Sequence, residues 1–68
     1  MNAIKRARHF IEENPGDPAG LVLSQLVLAL ETEHSFAISA IYQLDLEHFE
    51  LAIDILTEWR LDRYYAGK

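Results

Sequence analysis

An all-α fold, a small bundle of four helices with the third one short, is what this sequence predicts. Three observations carry the prediction. Apolar residues recur at the 3–4-residue spacing of a helix face. Capping and helix-breaking residues stand between the periodic segments. No stretch shows the strict alternation of a half-buried strand. The 68 residues are 50% hydrophobic, with three glycines and two prolines, so residues 1–68 read as a single ordered domain.

In the first helix Ala3, Ile4, Ala7, Phe10 and Ile11 share one face, and Lys5, Arg8, His9, Glu12 and Glu13 take the other. It stops at Asn14-Pro15-Gly16-Asp17-Pro18. Pro15 biases Asn14 away from helix, and Pro15-Gly16 suits the centre of a type II turn. Asp17 then caps a second helix with Pro18 at its first position. Between residues 18 and 30 the only polar side chains are Ser24 and Gln25. A helix apolar nearly all round must be buried nearly all round, which four short helices hardly manage alone.

Residues 31–35 break that pattern. Ser35 reads as the cap of a short third helix over residues 36–44, with Ser39 and Gln43 opposing Phe36, Ala40, Ile41 and Leu44. Asp45 has the marks of a further N-cap, with Glu47 in the first turn and Leu44 and Phe49 at staple spacing across it. The fourth helix runs from about residue 46 to residue 64. Its predicted inner face is Phe49, Ala52, Ile53, Leu56 and Trp59; its outer face is Glu47, Glu50, Asp54, Thr57 and Glu58.

A chain of this length gains only about 3–5 kcal/mol from one core and usually needs an additional constraint. It contains no cysteine, which excludes disulfides and cysteine-based zinc sites. The excess of apolar residues therefore points to self-association, most simply a homodimer. Leu23, Val27, Leu51, Trp59, Leu61, Tyr64 and Tyr65 are the expected apolar interface. The longest uncharged run, residues 18–30, falls short of the roughly 20 that a membrane span needs. The basic N-terminus leads into His9-Phe10-Ile11-Glu12-Glu13 rather than a signal-like apolar run. A soluble, cytoplasmic protein without membrane contact is expected.

Charge is segregated. All six Lys and Arg lie at the two ends: Lys5, Arg6 and Arg8, then Arg60, Arg63 and Lys68. Residues 9–59 hold every acidic residue except Asp62. Arg60 and Arg63 continue the line of Phe49, Ile53 and Leu56, so the amphipathic pattern fails after Trp59. One reading is generic: the last helix outruns its bundle, and arginine stems lie over the final core layer. A sharper one joins the ends. In an up-down bundle both termini emerge together, and Lys5, Arg6, Arg8, Arg60 and Arg63 would form one basic patch. That patch would contact an acidic partner, the acidic middle of a second copy, or phosphates. The helix dipole disfavours cations near the first helix's N-terminus, so local stability does not explain them. The corner at Asp45 works against simple up-down geometry.

Chemistry is sparse. Gly16, Gly20 and Gly67 are scattered and form no phosphate loop. Ser35 beside His34 makes no nucleophile constellation, since adjacent residues do not face each other on a helix. Glu31 with His34 and Asp45 with His48 spell carboxylate-x-x-His. The first pair falls in an expected turn and Asp45 in a cap, without the inward carboxylates a bundle metal site requires. His9 and His48 read as surface or boundary residues. Helices two and three have a helix-turn-helix outline, but residues 36–44 carry no Lys or Arg in an acidic region that repels phosphate. The expectation is a small acidic non-enzymatic protein, without catalytic residues, metal or cofactor, acting as a protein–protein interaction or regulatory module. The alternative is anion or nucleic-acid contact through the basic ends.

Overall fold

The computed structural model describes the backbone of residues 2–66 and the side chains as far as Arg63. Three α-helices, α1 (Ala3–Glu13), α2 (Pro18–Thr32) and α3 (Leu46–Ala66), are joined by one turn and by a longer crossing that contains a 3-10 helix, Ile38–Gln43. The all-α bundle with a short third helix is thus the fold, and among the described residues there is no strand.

The local signals produce the local structure they imply. Asp17 N–H bonds the Asn14 carbonyl at 3.1 Å across the turn, and Gly16 takes the positive φ (87°) of the third turn position. The Asp17 carboxylate accepts from Ala19 N–H at 2.8 Å and opens α2 behind Pro18. This hairpin makes α1 and α2 antiparallel: Gly20 approaches Phe10, Ile11 and Asn14, while Arg8 reaches Glu31. At the far end of α2, Glu33 adopts a left-handed φ of 59°, and His34 N–H closes back on the Ala29 carbonyl at 3.0 Å.

α3 also runs antiparallel to α1. Phe10 meets His48, Arg6 meets Asp54, and Ala3 meets Glu58 along the pair. It follows that α2 and α3 are parallel, so the chain must return the length of α2 before α3 begins. Fifteen residues of α2 span about 22 Å. A 9-residue α-helix covers only about 14 Å. The observed crossing reaches further: an irregular stretch ending in extended Ala37, then six 3-10 residues at about 2 Å each. That is why residues 36–44 do not form the expected α-helix: the 3-10 helix starts behind Ala37, with no side-chain cap, and not behind Ser35. The parallel pair also replaces a simple up-down order.

The core gathers Ala3 and Ala7 of α1, Leu23, Leu26 and Val27 of α2, Ile41 and Leu44 of the crossing, and Leu51, Ala52 and Ile55 of α3. The α1 face matches its sequence pattern, with Ile4, Phe10 and Ile11 packed at the margin. The α3 face does not. Leu51 and Ile55 point inward, whereas Phe49 and Ile53 are 38% and 43% exposed. Residues 46–56 carry apolar side chains on two sides of the helix. A single stripe drawn through them falls between the face that is buried and the face that is not.

Asp45 caps α3 as expected, accepting from His48 N–H at 3.1 Å, with His48 Nδ1 at 2.5 Å from the same carboxylate oxygen. The backbone hydrogen bond, followed by the imidazole contact, holds the Asp45 carboxyl below its ordinary pKa. The carboxylate-x-x-His pattern here is a helix cap.

Candidate interaction surfaces

Two regions answer to the functional expectations: the end of the bundle where the basic residues lie, and the apolar side chains left in solvent.

At the basic end the N-terminus of α1 sits beside the C-terminal half of α3. α1 has no acidic residue in its first turn, and Asn2 makes no side-chain cap. The missing anion comes from α3. The Glu58 carboxylate accepts from Asn2 N–H at 3.1 Å and from Ala3 N–H at 2.9 and 2.8 Å to its two oxygens. Beside it Arg6 reaches Asp54 at 3.2 Å. A residue assigned to the outer face in sequence thus caps another helix. The sequence does hold one signal of it: a helix that opens with cations and no acid needs an anion from elsewhere.

α2 receives the opposite complement. Arg63 approaches Glu33 at 3.2 Å and the Leu30 carbonyl at 3.4 Å, and its guanidinium lies 5.6 Å from the Trp59 ring centroid. A cation thereby meets the negative end of the α2 dipole. Arg8 pairs with Glu31 at 2.7 Å on the other side of α2.

Of the five basic residues predicted to act together, Arg6, Arg8 and Arg63 each engage a carboxylate of a different element of the same chain. No ion pair involves Lys5 or Arg60 among the described residues. The basic ends and the acidic middle meet within one molecule. Each pair is half exposed and so contributes little singly; their geometric effect is to register α3 against α1 and α2. Lys68 lies outside the described residues.

The apolar positions separate into two groups. Leu23, Val27 and Leu51 belong to the chain's own core, at 0%, 6% and 8% exposure, and are not on the surface where an interface would need them. Trp59 is partly buried, its indole N–H without a hydrogen-bond partner, and Leu61 is exposed. Tyr64 and Tyr65 lie outside the described side chains. The near-continuous apolar pattern of α2 does leave residues in solvent, but they are Leu21 and Leu28. Each borders its own open groove against α1, and Ile11 and Ser24 line both grooves.

A second exposed series follows α3. Leu46, Phe49 and Ile53 are exposed and Leu56 is half-buried. On the crossing, Ile38 and Tyr42 are exposed as well.

His34 is held near Thr32 Oγ1 at 2.9 Å, and His9 pairs with Glu13 one turn along α1. No three His, Asp or Glu side chains gather as metal ligands would among the described residues. No helix among them is long and apolar enough to cross a membrane. No family model matches the chain, and no curated protein or solved structure matches it.

Proposed function

We propose that this chain is a small acidic, cytoplasmic, non-enzymatic protein that acts as a protein–protein interaction or regulatory module and associates with itself as a homodimer. One observation carries the reading. α3 contributes one face to the core through Leu51, Ala52 and Ile55 and leaves Leu46 and Ile53 at 72% and 43% exposure on another. Exposed apolar residues scattered singly are ordinary; a series at helical spacing on a 68-residue chain with a small core is not. Covering it would add the stability that so short a chain lacks.

Sedimentation velocity between about 1 and 200 μM tests the reading, the range in which modest interfaces dissociate. A sedimentation coefficient that rises from monomer to dimer is expected. A monomer throughout refutes the self-association.

The alternative, an anion or nucleic-acid contact through the basic end, has Lys5 and Arg60 in its favour, the two cations without a carboxylate partner among the described residues. It is weakened by Arg6, Arg8 and Arg63, which would have to leave theirs.

A further inference from the structure

We propose that the second copy docks on α3 itself, antiparallel, through the seam Leu46, Phe49, Ile53 and Leu56. The inference rests on the self-association reading above and specifies its surface and orientation.

The spacing is the first argument. Positions 46, 49, 53 and 56 advance by three, four and three residues, which is the alternation of a coiled-coil seam. The residues that α3 buries within its own chain, Leu51, Ala52 and Ile55, lie on a different side of the same helix. α3 therefore has one face packed within the chain and a second, with its own regular period, on which Leu46, Phe49 and Ile53 are exposed and only Leu56, at its edge, touches the core. Elsewhere Ile38 and Tyr42 lie on the short crossing, and Leu21 and Leu28 on α2 are separated by two full turns with polar Ser24 and Gln25 between. Neither arrangement offers a continuous seam.

Charge selects the occupant and its direction. Flanking this face the N-terminal half carries Glu50, and in line with it the C-terminal half carries Arg60, both exposed. Neither makes an ion pair within the described part of the chain. Glu50 and Arg60 are ten residues apart, about 15 Å along the helix, and cannot pair with each other in one molecule. In a second copy laid parallel and in register, Glu50 would face Glu50 and Arg60 would face Arg60. Laid antiparallel, with the twofold axis at the level of Ile55, each Glu50 faces an Arg60 of the other copy, twice by symmetry. The same register brings Ile53 to within one residue, about 1.5 Å, of the level of Leu56 of the other copy, and Phe49 equally close to the level of the aliphatic stem of Arg60. An acid at one end and a base at the other of a single apolar seam is self-complementary only in this direction. The Arg60 that interrupts the stripe in sequence is then the residue that sets orientation. One seam of about four turns is small for a stable interface, so dissociation in the micromolar range is expected.

The test uses the full chain and charge swaps at exposed positions. Glu50→Arg and Arg60→Glu each turn two attractive pairs into two repulsive ones. Each alone should weaken self-association by about tenfold. The double variant Glu50→Arg/Arg60→Glu should recover it to within about threefold, because both pairs are restored with reversed sign. Mixing the two single variants should also restore association, since each copy then offers what the other lacks. Ile53→Glu should leave only monomer, with far-UV circular dichroism showing that the bundle persists. If the chain dimerises but neither single swap weakens it, or the mixture gains nothing, the antiparallel seam is wrong while self-association stands; loss of the dimer in Leu28→Glu would then locate it on α2. A wild-type chain that stays monomeric at 200 μM removes both.

Discussion

Replacing Glu58 with alanine tests the most consequential long-range contact in the bundle. Its carboxylate supplies the only anion seen at the N-terminus of α1 among the described residues, across 55 residues of sequence. The contacts are unequal. The bond to Asn2 N–H is exposed, so water replaces it at little cost. The bonds to Ala3 N–H are part-buried, and Ala3 itself is 0% exposed. A charge-assisted hydrogen bond contributes about 1.5–3 kcal/mol, and partial exposure favours the lower end of that range. Loss of a charge at a helix N-terminus adds about 0.5 kcal/mol. Glu58→Ala should therefore destabilise the fold by about 2 kcal/mol, close to half of the 3–5 kcal/mol that a core of this size supplies. For a domain of this length that lowers Tm by about 8–16 °C. Glu58→Gln keeps an acceptor and loses the charge, so it should fall between alanine and wild type. Thermal melts followed by circular dichroism, at one protein concentration, give the shifts. Hydrogen exchange adds location, with protection lost first in the N-terminal turn of α1. A Glu58→Ala melt within 2 °C of wild type would refute the capping argument, as would glutamine behaving like alanine.

Two further predictions concern local structure. Asp45 has a carboxyl pKa lowered chiefly by the His48 backbone N–H, so its cap stabilises the fold above about pH 4 and the contribution is lost as pH falls below the ordinary value of 3.8. The difference in Tm between wild type and Asp45→Ala should accordingly be larger at pH 6 than at pH 2.5; an equal difference at both would contradict the assignment. The glycines Gly16 and Gly20 should respond in opposite directions to alanine in urea unfolding. Gly16→Ala places a side chain at a φ of 87° and should cost about 1 kcal/mol despite the open space around it. Gly20→Ala, in the first turns of α2, meets Phe10 at an ordinary 3.6 Å and should gain about 0.5 kcal/mol from helix propensity. A loss at Gly20 would mean that α1 and α2 pack more tightly there than the distances imply.

Much of the backbone was legible from short-range signals. Pro15-Gly16 turns the chain, Asp17 and Asp45 cap their helices, and the stripe on α1 buries the residues it should. Each of these depends on groups within about four residues, so the sequence by itself determined them. The rest depends on how the helices lie together. The phase of α3 was illegible because Phe49 and Ile53 are as apolar as Leu51 and Ile55, and only contact with α1 and α2 decides which pair goes inside. The 3-10 crossing was illegible for a similar reason, since its reach is set by the length of α2 and the parallel course of α3. Glu58 on the amides of α1, Arg6 on Asp54 and Arg63 on Glu33 join residues 55, 48 and 30 apart. The segregation of charge in the sequence shows that such pairs are available. Which cation meets which carboxylate, and that they meet within one chain, was decided only by the tertiary structure, because an ion pair needs its partners within a few ångströms and helix packing alone sets that distance.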